Sequence, residues 1–144
     1  MDLTKSYPRS VREKHLGLVQ VARTIDKGNA SLEGKLGEYK YDCPMDVHLF
    51  EFLGLKGNDV LEAIKKGSTA TDQIFQNAIS KKSAADIEKF NREWLEYGPA
   101  AGSDGEKYFL ELRGQVAPDR TDVTAWADLL DLDEKRPVAR RVPA

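Results

Sequence analysis

Apolar residues recur at helical spacing along nearly the whole of this 144-residue chain, and most of the stretches carry their own start and stop residues. Such punctuation leaves little room for strands and predicts an all-α fold. Near the N-terminus, Ser10 with Glu13 reads as a capping box, in which side chain and backbone each satisfy an orphaned N–H at a helix start. Leu18, Val21, Ala22 and Ile25 then share one face and Gln20, Arg23 and Lys27 the other, so an amphipathic helix is predicted over residues 11–32, bent at Gly17. The following EGKLGEYKYD, with two glycines and alternating Tyr39 and Tyr41, suits an extended connection over about residues 35–42, with room for a short hairpin.

The stretch YDCPMDVHLFEFLGL, residues 41–55, gathers the only cysteine, one of the two histidines and two aspartates. Pro44 suits the first helical position, where its missing N–H costs nothing, and this puts Cys43 at the N-cap and Asp46 in the first turn. Met45, Leu49, Phe52 and Leu53 form a stripe for burial, Gly54 takes the left-handed turn at the end, and Leu55 folds back on Leu49 or Phe50 as in a Schellman motif. Cys43 and His48 alone lack a structural job in this scheme.

The same grammar repeats downstream. Asn58 caps a short helix with Val60, Leu61 and Ile64 inward and Gly67 as its stop. Thr69 with Asp72 opens the next, and Ser83 with Asp86 opens a third, with Ile87, Phe90, Trp94 and Tyr97 inward before Gly98-Pro99. GPAAGSDG is a loop, after which Ser103 with Glu106 caps a helix lined by Tyr108, Phe109, Leu112 and Val116. A turn at APDR leads to Thr121 as the cap of a last helix carrying Val123, Trp126, Ala127 and Leu130, and the pattern ends after Asp131. The expectation is a single compact helical domain, residues 1–132, of six or seven short helices, followed by an irregular C-terminal tail, residues 133–144.

A hydrophobic fraction of 40% beside 32% charged residues belongs to a chain that folds around a core. The net charge of −2 supplies no general attraction to nucleic acid or anionic membrane, which disfavours a nucleic-acid partner. The apolar runs LGLVQVA and HLFEFLGL fall far short of the roughly 20 residues that span a bilayer, so no membrane segment is predicted. A single cysteine and an opening MDLTKSYPRSVREKHLG without an apolar core favour the cytoplasm.

Five places invite a chemical reading. A thiol at a helix N-terminus, such as Cys43, feels the positive end of the dipole, while Asp42 and Asp46 beside it oppose a thiolate; inert packing is the simpler account. A metal reading takes Cys43, Asp46 and His48, joined by His15, but positions 46 and 48 lie about 200° apart on a helix, so no metal or cofactor is expected. Arg23 and Asp26 suit a surface ion pair; alternatively Arg23 and Lys27 present two cations beside Tyr39 and Tyr41 to a small anionic ligand. Arg120, in the APDRTD turn, and Arg113 on the preceding helix form a second anion candidate, against the plainer reading that Arg120 pairs with Asp119 or Asp122. Lastly, DLLDLDE followed by KRPVARR sets opposite charges side by side, suited to an intramolecular or homodimer contact.

Taken together, YPRS (residues 7–10), ARTIDK (22–27), GEYKYDCPMD (37–46), FLGL (52–55) and VAPDRTDVTAW (116–126) resemble an uncharacterised bacterial family, domain-of-unknown-function family 5069. The resemblance runs from residue 3 to about residue 134. It implies a small stand-alone bacterial protein and assigns no reaction, ligand or catalytic residue.

Two functions from different classes follow from the residues. One is a non-catalytic binding or interaction domain, regulatory in kind, that offers a polar groove or its tail to a protein partner. The other is a small enzyme or ligand sensor whose pocket forms where GEYKYDCPMD meets the first helix and the APDRTD turn. The first is favoured, because the lone thiol has no base in its sequence neighbourhood and the chain has only two histidines for proton transfer near neutral pH.

Overall fold

The structure, a computed structural model, describes residues 1–141. These hold seven helices and no strand: α1 (Val21–Leu32), α2 (Pro44–Leu53), α3 (Gly57–Lys66), α4 (Ser68–Ile79), α5 (Ala84–Glu96), α6 (Asp104–Val116) and α7 (Trp126–Asp133). The protein is all-α, with a non-helical connection between α1 and α2 and an irregular segment after α7. Two compact units divide the chain, residues 1–89 and residue 90 onward.

In the first unit α1 and α4 both pack on α3, and α2 lies against α3 and α4. Leu18, Val21, Ala22, Leu49, Val60 and Phe75 are buried in its core. The first helix begins ten residues later than its spacing predicts. Ser10 forms only a turn, accepting the Glu13 N–H at its carbonyl and the Arg12 N–H at its hydroxyl, so it caps no helix. Leu16, Gly17 and Gln20 all have positive φ, a backbone state that cannot continue a right-handed helix, and His15 and Leu18 pair across the resulting turn.

The punctuation of α2 matches its residues closely. Pro44 stands at N1 behind Cys43 as N-cap, and Gly54 ends the helix at φ 70°. The Leu55 N–H reaches the Phe50 carbonyl at 2.9 Å and the Gly54 N–H the Glu51 carbonyl at 3.3 Å, the paired bonds of a Schellman motif. Its buried face, however, is Asp46, Leu49, Phe50 and Leu53 rather than the stripe headed by Met45. The α3 and α4 starts each lie two residues before those expected, with Lys56 and Gly67 in the cap positions in place of Asn58 and Thr69. Ser83 and Asp86 form the anticipated capping box before α5, bonding each other's backbone N–H at 3.0 and 3.4 Å.

In the second unit Phe109, Val123 and Leu129 form a core against which Leu112, Trp126 and Leu132 pack. Ser103 caps α6 through the Glu106 N–H at 3.1 Å, and Glu106 returns a bond to the Gly102 N–H at 3.2 Å. Helix α7 starts at Trp126, five residues beyond Thr121, because the intervening segment is otherwise occupied. The Val123 N–H closes a turn on the Arg120 carbonyl and the Trp126 N–H bonds the Tyr97 carbonyl at 2.9 Å. After α7 the tail is tied down by charge. Arg136 bonds Asp131 and the buried Glu134, Arg140 pairs with Asp119 at 2.9 Å, and Arg141 reaches the buried Asp128 at 2.9 Å. The last three tail residues, 142–144, lie outside the described residues. No helix among the described residues is long and apolar enough to cross a membrane.

Candidate functional site

Nine of the twelve α1 residues are buried, Arg23, Thr24, Asp26 and Lys27 among them. The helix therefore has no solvated polar face, and Gln20, Arg23 and Lys27, which its spacing assigns to water, are inside. A buried polar group costs free energy unless it finds a partner, so each must be answered from elsewhere in the chain. The first turn of α2 answers Lys27. Its ammonium lies 2.8 Å from Asp46 Oδ2, with 4% and 0% of the two side chains exposed. The other oxygen, Asp46 Oδ1, accepts the Thr24 hydroxyl at 2.6 Å and the Gln20 amide at 3.2 Å. Asp46 Oδ2 also accepts the Cys43 N–H at 3.3 Å, the acidic half of the cap. The carboxylate is thus saturated, and the inward pull of Lys27 and Thr24 of α1 and of Gln20 at its N-cap rotates α2 so that Asp46 heads its buried face.

Cys43 is half-buried at the N-cap, and Lys27 Nζ donates to its sulfur at 3.1 Å. His48, by contrast, is exposed, as the angle between positions 46 and 48 requires. A second knot lies nearer the N-terminus. Asp26, buried, accepts the Arg9 backbone N–H at 2.8 Å and the Nε and Nη2 donors on one edge of the Arg9 guanidinium, each at 3.1 Å. Asp26 is thus buried rather than on the surface, and it receives a bidentate grip from outside the helix. Arg23 bonds the Arg9 carbonyl at 3.2 Å and stands over the Tyr39 ring at 5.6 Å, a cation–π contact. Tyr41 donates to the Gly57 carbonyl at 2.7 Å, and burial, then the charges of Asp46 and Asp42, push its phenol well above its ordinary pKa. It stays a donor throughout the physiological range. At the remaining histidine, His15 Nε2 lies 2.8 Å from an Asp72 oxygen.

A family model described as "Domain of unknown function (DUF5069)" matches residues 5–136. The chain belongs to this family. No curated protein matches it.

In this DUF5069 chain Arg113 and Arg120 belong to the second unit, and both brace one turn. Arg113 donates to the Val123 carbonyl at 2.9 Å. Arg120 grips Asp122 through two nitrogens at 3.0 and 3.2 Å and reaches the Val138 and Ala139 carbonyls. The Arg120 guanidinium, with help from the Arg141 N–H, holds the Asp122 carboxyl well below the usual carboxylate range. Gln20, Thr24 and Arg9 escape the sequence reading as members of the polar cluster. Their partners lie 17 to 26 positions away in the chain, and no local pattern announces them.

Proposed function

We propose that the protein is a non-catalytic interaction domain. The observation that carries this reading is the saturation of the α1–α2 cluster: Lys27, Asp46, Thr24 and Gln20 bond one another, and among the described residues no buried side-chain nitrogen or oxygen lacks a partner. A catalytic or ligand-sensing site holds polar groups in readiness for something that arrives, whereas a saturated network fixes two elements in place. The convergence of Lys27, Cys43 and Asp46 where GEYKYDCPMD meets α1 favours the second reading, a small enzyme or ligand sensor at this junction. It is the weaker of the two, since any anion would have to displace Asp46 from a buried ammonium.

Thermal unfolding in the presence of phosphate, sulfate, nucleotides and small carboxylates tests the choice. The interaction reading predicts no specific rise in melting temperature. A saturable rise with one of these anions, abolished by Arg23→Gln, would replace it with the ligand-sensor reading.

A further inference from the structure

We infer that α6 is the interaction face and that its occupant is a second copy of this chain, an inference that rests on the interaction-domain reading above. Helix α6 buries Phe109 alone, and a wide arc of its surface faces water. Two large side chains on that arc are apolar or aromatic, Tyr108 at 59% and Leu110 at 46% exposed. Tyr108 is held rather than loose: its ring stacks on Trp126, which in turn meets Phe109 edge-on at 4.9 Å. An aromatic side chain already fixed loses little conformational freedom on association, which suits an interface anchor.

Between Tyr108 and Leu110 the arc carries Lys107, Glu111 and Gly114, all exposed. Among the described residues neither Lys107 nor Glu111 has an ion partner. Their order along the helix, lysine before glutamate one turn apart, is the poorer one for pairing within a helix. The pair is instead complementary to itself. Packing a second α6 antiparallel, with a two-fold axis at the level of Phe109, sets Lys107 of each copy opposite Glu111 of the other. The same axis brings Leu110 beside Leu110 and Tyr108 beside Tyr108, the isologous arrangement of a symmetric dimer. A Cβ at Gly114 would meet nothing within 4 Å, so the helix surface there is low and open to close approach.

Sedimentation equilibrium of the full chain, with Lys107→Glu, Glu111→Lys and the double exchange, decides the matter. The wild type is expected to dimerise at micromolar concentrations, and each single exchange to weaken the dimer by about tenfold or more, since like charges then face each other twice. The double exchange restores it. Circular dichroism checks that each exposed substitution leaves the helices intact. A wild type that stays monomeric, or single exchanges that dimerise as well as wild type, overturns the second copy as occupant. Neither result moves the anion test of the preceding section, so the two failures are distinguishable.

Discussion

Lys27 of α1 and Asp46 of α2 form an ion pair 2.8 Å long with almost no solvent contact on either side chain. Two buried charges seldom stabilise a fold by more than a well-packed apolar pair would, because each loses its hydration. They do specify which surfaces meet. Here the pair fixes the register of α2 on α1, and Thr24, Gln20 and the Cys43 N–H supply the further bonds that a buried carboxylate requires.

The Thr24 hydroxyl carries one of those bonds. Thr24→Val keeps the shape and deletes the donor to Asp46 Oδ1, so urea unfolding is expected to show a loss of about 1–3 kcal/mol, the cost of leaving a buried acceptor short. Thr24→Ser, which keeps the hydroxyl, loses less than half as much. A loss in Thr24→Ser as large as that in Thr24→Val would show that packing of the methyl group matters as much as the hydrogen bond.

Gly28 sets how closely α1 approaches α3. A Cβ there would stand 2.4 Å from Ile64 Cδ1. Gly28→Ala is therefore expected to destabilise by roughly 1–3 kcal/mol through overpacking, although alanine is the better helix former. Ile64→Val removes the clashing methyl and recovers part of the loss in the double variant. A melting temperature raised by Gly28→Ala would mean that the helices part easily.

In the second unit the Asp122 carboxyl is depressed by Arg120 and Arg141. A group whose folded value lies below its unfolded one lends stability that is fully present above its ordinary value near 3.8 and lost as pH falls through the folded value. Both tryptophans, Trp94 and Trp126, lie in this unit, so fluorescence reports on it selectively. The acid unfolding curve is expected to flatten in Asp122→Asn, which is also less stable at neutral pH. An acid transition of unchanged steepness would assign the sensitivity to other carboxylates.

Where local chemistry decides the outcome, it is legible in the residues: Pro44 and Gly54 bracket α2, and Ser83–Asp86 and Ser103–Glu106 begin α5 and α6. Ser10–Glu13 and Thr121 carry the same signals without starting helices. Positive φ at Leu16, Gly17 and Gln20 overrides the first, and the bonds of Arg120 and Trp126 displace the second. The larger departure concerns Gln20, Arg23 and Lys27. Periodicity assigns polar residues to water because that is the cheapest place for them, and it carries no information about an aspartate or an arginine that arrives from another segment. Arg23, Asp26, Cys43 and Asp46 are nameable one by one, whereas the membership of Gln20, Thr24 and Arg9 and all the pairings depend on tertiary contacts.

A double-mutant cycle on Lys27 and Asp46, followed by urea unfolding, tests most directly whether this cluster is a lock between α1 and α2. Lys27→Met and Asp46→Asn are each predicted to cost on the order of 3–5 kcal/mol, because each strands a buried polar partner. Together they should cost less than their sum by about 1–3 kcal/mol. Single losses below about 1 kcal/mol that simply add would contradict the lock and leave both residues free for a functional role.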